Sequence, residues 1–260
     1  MEKELQKLAG QLGFRAIEAN WSEYGGKPWL ADLLKAEEEE RERRSLTTRL
    51  KEAHIGQFKP MAEFDWSWPE KINRQQVEDL FSLTFMLQKE NVIFLATNGL
   101  GKSMITQNLV YTAAMAGYST RYVKASKMLD ELLECESAAA RRSRMKKLCR
   151  LSLLAIDEVG YMSYDNRYAD LLYEVISERY QKKSTIITTN KSFTDWGEIF
   201  PNAACVVTMV DRLTHQAELI TLEGESYRHH EAKLLAEAKE AERKAKSKVK
   251  ATKGKPDGQS

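Results

Sequence analysis

The chain is short of the residues that staple or anchor a protein. Among 260 residues it has three cysteines, Cys135, Cys149 and Cys205, an odd number with no C-x-x-C pair. That spacing argues against a disulfide framework and a thiolate zinc site, and for a reducing cytosol. The four histidines add no metal-binding spacing: His229 and His230 are adjacent, and neighbours on a helix point in different directions. Long apolar runs are also missing. The opening MEKELQKLAGQLGF lacks the uninterrupted apolar stretch of a signal peptide, and no segment is long enough to span a bilayer. A cytoplasmic protein with no membrane partner is expected. Internal repeats are absent. The net charge of +2 is too small to imply a nucleic-acid partner by itself, so the placement of charge decides.

What is present is a composition with 42% hydrophobic and 30% charged residues, that of a globular protein with highly charged segments. The length allows one medium domain and an appendage. Three zones separate. Residues 1–59 read as a small helical domain that docks on a partner, with Leu5, Leu8 and Leu12, then Trp29, Leu30, Leu33 and Leu34, at helical spacing. Gly25, Gly26 and Pro28 interrupt its two predicted helices, and KAEEEERERR (35–44) extends the second as a solvated, ion-paired face. Residues 230–260 form a charged tail, predicted to begin as a helix and finish disordered. Its lysines either touch nucleic acid non-specifically or only solubilise.

Residues 60–229 alternate between strand and helix patterns after an aromatic loop containing Phe64, Trp66 and Trp68. Apolar strands are predicted at 91–96, 120–124, 153–156, 185–189 and 218–222. Helices are predicted at 73–89, 102–117, 126–135, 170–182 and 204–213. Continuous apolar strands alternating with helices imply an α/β domain whose parallel sheet is sandwiched by helices.

The chemistry starts after the first of those strands. Ala96, Thr97, Asn98, Gly99, Leu100, Gly101, Lys102 and Ser103 fit a phosphate-binding loop, with alanine in place of the usual first glycine. Gly101 lets backbone N–H groups approach phosphate oxygens, Lys102 neutralises the β- and γ-phosphates, and Ser103 can ligate magnesium. The following helix adds its positive end. ATP with Mg2+ is therefore expected. Ala96 is acceptable if its φ is negative.

The partner strand is LLAIDEVG (153–160), which carries Asp157 and Glu158 to the sheet edge where ligands collect. Asp157 is placed to hold the metal, usually through water, and Glu158 to orient or deprotonate the attacking water. Asn190 ends the next strand and would lie beside Glu158, within reach of the γ-phosphate or lytic water; the alternative is an asparagine starting a turn.

The order of the phosphate loop, DEVGY, TTN, DRL and GESYR resembles the AAA+ ATPases of the bacterial initiator and helicase-loader group, and most closely the IstB-like helpers of DNA transposition. EFDWSWPEKINRQQV, DEVGYMSYDNRYADLLYEVISERY and MVDRLTHQAELITLEGESYR carry the likeness. It implies an AAA+ P-loop NTPase fold and gives Asn190 the first sensor position. It gives Arg212 the arginine finger, which reaches nucleotide held by a neighbouring subunit, and Arg228 the second sensor. A guanidinium suits both roles because it stays charged and forks onto phosphate. Either arginine could instead be a surface ion-pair residue. A finger in trans implies self-association into an ATP-dependent oligomer.

The densest basic run in this zone is ARRSRMKKLCR (140–150). The resemblance places an extra helix there, on the face that meets double-stranded DNA. Arg141, Arg142, Arg144, Lys146, Lys147 and Arg150 would contact phosphates, with Met145 and Leu148 packing the helix down and Lys124 and Lys127 as secondary candidates. A merely solvated basic helix is the competing reading. The resemblance implies a transposition helper that hydrolyses ATP on target DNA and recruits or activates a cognate transposase. The rivals are a DnaC-like helicase loader, a metabolic P-loop kinase, and a binding module that has lost hydrolysis.

Overall fold

The computed structural model describes residues 2–161, 164–200, 203–237 and 239. Five strands pair in parallel: β1 (Asn91–Ala96), β2 (Thr120–Lys124), β3 (Leu153–Val159), β4 (Ser184–Thr189) and β5 (Ala217–Leu222), in the order β2-β3-β4-β1-β5. Their continuous apolar character has a direct cause. Along β1, Val92 and Phe94 face one core while Ile93 faces the other; along β3, Leu153 and Ala155 oppose Leu154 and Ile156. A sheet covered on both faces needs apolar side chains at every position.

The N-terminal zone has more breaks than its sequence suggested. Helices α1 (Glu2–Gln11), α2 (Arg15–Ala19) and α3 (Trp21–Tyr24) precede the long α4 (Pro28–Glu52), where two helices were expected. Ala9 and Leu12 pack with Leu30 and Leu34. Trp29 and Leu33 instead lie on the solvent side of α4, 50% and 44% exposed. The charged run behaves as predicted, with Arg41–Glu37 at 2.5 Å and Arg43–Glu40 at 2.9 Å one turn apart. The chain then enters the sheet domain without a free linker. Ala53 and Ile55 are buried in the core of the β1 face, and Arg49 Nε donates to the Ala114 carbonyl at 3.0 Å.

The helix expected over 73–89 is broken into α5 (Arg74–Leu80) and α6 (Thr84–Gln88). Asn73 caps the first by accepting from Gln76 N–H at 3.1 Å. Ser82 breaks the run because its hydroxyl donates to the Asp79 carbonyl and accepts from the Thr84 amide, while Leu83 takes a φ of 59°. Beyond β1 come α7 (Lys102–Met115), α8 (Ala125–Leu133), α9 (Ala138–Arg150), α10 (Asn166–Arg179), α11 (Trp196–Ile199) and α12 (Ala203–Thr214). Helices α8, α9, α10 and α12 supply one core, α5 and α7 the other. A further helix begins at 227 and is described to 237. Most of the predicted tail, residues 240–260, lies outside the described residues. No helix among the described residues is long and apolar enough to cross a membrane.

Arg179 is the least expected part of the core. It is 1% exposed, and its guanidinium donates to the carbonyls of Leu148, Leu151 and Ser184 and to the Thr185 hydroxyl. Burial pushes it down to about 10. It gathers otherwise orphaned carbonyls at the C-terminal end of α9 and at the start of β4, tying the basic helix to the sheet. Arg179→Met leaves those acceptors buried and unpaired. It should lower unfolding free energy in urea by about 3 kcal/mol, and an unchanged midpoint would count against this role.

Candidate nucleotide site

The site forms where β1, β4 and β3 end side by side. Ala96 is the last residue of β1, paired with Leu222, and takes no positive φ, so its methyl group fits. The loop then turns through Gly99 at φ 86° and Gly101 at φ 91°, a backbone that side chains resist. At Gly101 a Cβ would also sit 2.5 Å from the Phe64 ring. The aromatic segment thus packs directly beneath the loop.

Lys102 opens α7 and is nearly buried; its Nζ donates to the carbonyls of Ala96 at 2.6 Å and Thr97 at 2.8 Å. Ser103 Oγ donates to Asp157 Oδ2 at 2.9 Å. Asp157 is 1% exposed and also accepts from the hydroxyls of Tyr122 and Thr188. Burial and then the Asp157 charge push the Tyr122 hydroxyl well above the usual phenol range, so it stays a donor. Sequence reading missed Tyr122 and Thr188. The available signal was a polar side chain within an otherwise apolar strand, but its partner depends on strand order.

Glu158 departs from the strand. Its φ is 62°, and the β3–β4 register shifts between Ile156 and Val159. Its N–H donates to Thr188 Oγ1 at 2.9 Å, so one threonine braces both acidic residues. Such a bulge re-aims a side chain, here toward the cavity and the end of β2. There Lys124 Nζ lies 2.9 Å from Oε1 and 2.8 Å from Oε2 of Glu158. Lys124 was expected to be a secondary DNA contact; the structure engages it with the site's second carboxylate.

Residues 98–103 and Glu158 border a cavity of about 1080 Å3 that also takes in the 56–59 segment, Trp68, Tyr161 and Arg228, with Asp157 behind Ser103 rather than in the lining. Trp68 stacks on His230 with ring centroids 4.2 Å apart, and its Nε1 donates to the Glu225 carbonyl. The aromatic loop and GESYR therefore build one wall together. Tyr227 N–H donates to the Gly99 carbonyl at 3.1 Å, fixing the helix that carries Arg228 against the phosphate loop. Volume, wall and anion-binding loop suit a nucleoside triphosphate.

The remaining predicted residues divide. Asn190 directly follows β4, with its amide oxygen buried and unpartnered among the described residues, and it does not line the cavity. Arg212 does not line the cavity; its guanidinium lies 5.2 Å from the Tyr173 ring centre and 5.8 Å from that of Tyr180. On α9, Met145 and Leu148 are buried as expected, and Arg142, Arg144, Lys146, Lys147 and Arg150 are exposed. Arg141 is half-buried and donates to the Leu132 carbonyl at 3.2 Å, so local structure claims part of its capacity. Arg144 comes within 3.9 Å of Glu131.

Lys102 gives the site a pH signature. Burial pushes its ammonium down to about 8, with Arg228 acting in the same direction and Asp157 and Glu158 against it. Below that pH the ammonium meets phosphate charged; above it, a proton must be taken up on binding. ATP affinity should therefore fall by up to about tenfold per pH unit above 8, measured by calorimetry at several pH values. Lys102→Arg, which stays charged, should lose the break.

The match to known proteins agrees with this geometry. Residues 2–235 match the family model for IstB-like ATP binding protein. The chain is 34% identical over 225 residues to the insertion sequence IS232 putative ATP-binding protein of Bacillus thuringiensis subsp. berliner, covering 86% of this chain and 90% of that protein. It is 30% identical over 246 residues to the IS5376 putative ATP-binding protein of Geobacillus stearothermophilus, covering 91% and 98%. The crystal structure of DnaI superposes with a TM-score of 0.54 at 13% identity, over 63% of this chain and 90% of that one, a likeness of fold. The chain has a parallel α/β fold with a P-loop-type turn after β1 and belongs to the family of IstB-like ATP-binding proteins.

Proposed function

We propose that this chain hydrolyses ATP with magnesium, assembles on duplex DNA in its ATP-bound form, and recruits or activates the transposase of its insertion sequence. The observation that carries the reading is that Lys102, Ser103 and Glu158 line one cavity at the start of α7, with Asp157 held directly behind Ser103. The names of the relatives supply the insertion-sequence context.

Among the described residues no group of three or more His, Cys, Asp or Glu side chains could hold a metal alone. A hydroxyl and a carboxylate side by side instead suit a hard cation shared with phosphate oxygens, so Ser103 and Asp157 would hold Mg2+. When bound there, the ion would supply positive charge that offsets the charge of the phosphates. Lys102 releases the loop carbonyls and neutralises phosphate. Glu158 leaves Lys124 to orient water and accept its proton. Asn190 donates its amide toward the γ-phosphate or the water. Arg228 contacts phosphate from within the subunit. Arg212, lying away from its own cavity, reaches the γ-phosphate of a neighbour, so each site is completed by assembly.

The exposed side chains of α9 meet DNA phosphates, and the N-terminal helices dock on the transposase. A helicase loader would share the ATPase chemistry and use those helices on a replicative helicase; a pull-down with each partner separates the two. Glu158→Gln should slow hydrolysis by about a hundredfold or more and leave ATP-bound oligomers on DNA in sedimentation. Arg212→Ala should bind ATP normally yet lose about a thousandfold in DNA-stimulated turnover; normal turnover would sink the trans assignment. Replacing Lys146 and Lys147 with alanine should weaken binding to unrelated duplexes alike. It should also lower the slope of log affinity against log salt by roughly one for each of the two that meets a phosphate.

A further inference from the structure

The metal-side carboxylate is joined to the N-terminal helices by a short path through Tyr122. The Tyr122 side chain donates to Asp157, and its backbone N–H donates to the Ala53 carbonyl at 2.8 Å. Ala53 is fully buried and caps the C-terminal end of α4, a single helix of 25 residues whose other end carries Leu30 and Leu34 of the N-terminal core. The same end of α4 is fastened to α7. Arg49 Nε donates to the Ala114 carbonyl at 3.0 Å, and Gln107 Nε2 donates to the Ile55 carbonyl at 3.0 Å. Helix α7 begins with Lys102 and Ser103, and Ser103 donates to the same Asp157 oxygen as Tyr122. A tilt or shift of α4 therefore moves the β2 backbone at Tyr122 and the helix bearing Ser103 together.

We propose that Tyr122 is a positioning residue through which the C-terminal end of α4 sets the orientation of Asp157. A partner seated on the N-terminal helices would thereby adjust metal binding at the nucleotide site without touching it. The chemistry of the path favours this over simple packing. A phenylalanine ring would fill the same space, whereas the hydroxyl adds a directed hydrogen bond to one carboxylate oxygen, and such outer partners orient metal ligands. The proposal rests on the reading of Asp157 as a magnesium-holding residue.

The test uses the full chain with a non-hydrolysable ATP analogue and Mn2+, whose binding is read by electron paramagnetic resonance. Tyr122→Phe should weaken Mn2+ binding roughly tenfold while leaving the analogue's affinity in EDTA unchanged; unchanged or tighter Mn2+ binding overturns the role. Asp157→Asn separates the two claims. If it leaves Mn2+ affinity intact, the metal reading itself fails; if it weakens Mn2+ while Tyr122→Phe does not, only the Tyr122 proposal fails. Arg49→Met, which unfastens α4 from α7, should weaken Mn2+ several-fold in the native background and by a smaller factor beside Tyr122→Phe, where only the route through α7 and Ser103 remains. Equal effects in both backgrounds overturn the coupling. Should Tyr122→Phe fail to fold, Arg49→Met alone still decides, because unchanged Mn2+ affinity contradicts the proposal.

Discussion

Asp157 sits at the end of a strand buried on both faces, and its side chain accepts hydrogen bonds from Ser103, Tyr122 and Thr188. Those donors come from the start of α7, the middle of β2 and the end of β4, so one carboxyl group holds three elements in register. A buried polar group without such partners would cost more than the fold could absorb, and the donors therefore must be where they are. The order β2-β3-β4-β1-β5 makes this possible, because it sets β3 between β2 and β4 and keeps the phosphate loop one strand away.

The same constraint explains the irregular backbone beside it. Thr188 gives its hydroxyl to Asp157 and takes the N–H of Glu158, which turns Glu158 out of the ladder into a left-handed conformation. Strain is thus concentrated at Glu158, which borders the cavity, while Asp157 is held by three hydroxyl donors. Lys124, paired in register with Asp157, is carried by β2 to the place where Glu158 emerges. Charge on the two sides of the site is in this way balanced by the sheet itself.

Much of this was legible in the sequence because it depends on local pattern. The five apolar runs became the five strands, and the phosphate loop and DE pair follow directly from residue type at fixed spacing. What escaped depends on contacts between distant segments. Tyr122 and Thr188 look like ordinary strand residues until β2 and β4 are known to flank β3. Arg179 gave no warning because it is buried among carbonyls rather than beside an acid. Trp29 and Leu33 fit a helical apolar face, yet only Leu30 and Leu34 turn inward onto Ala9 and Leu12, and spacing alone does not say which side of α4 the short helices will cover. The break at Ser82 arises from a hydroxyl that bonds the backbone, which apolar spacing does not register.

The arrangement of the nucleotide-binding residues leaves Arg212 outside the cavity of its own subunit, resting on two tyrosines, while one wall of that cavity is built from the aromatic loop and the helix after β5. On the proposed function, in which Arg212 completes a neighbour's site, assembly is the controlling step for hydrolysis. Electron microscopy of the protein with duplex DNA and a non-hydrolysable ATP analogue tests this most directly. Arg212 of one subunit should lie at the γ-phosphate of the next, with DNA running along α9. An assembly in which Arg212 stays on Tyr173 and Tyr180, or in which DNA lies away from α9, would contradict it.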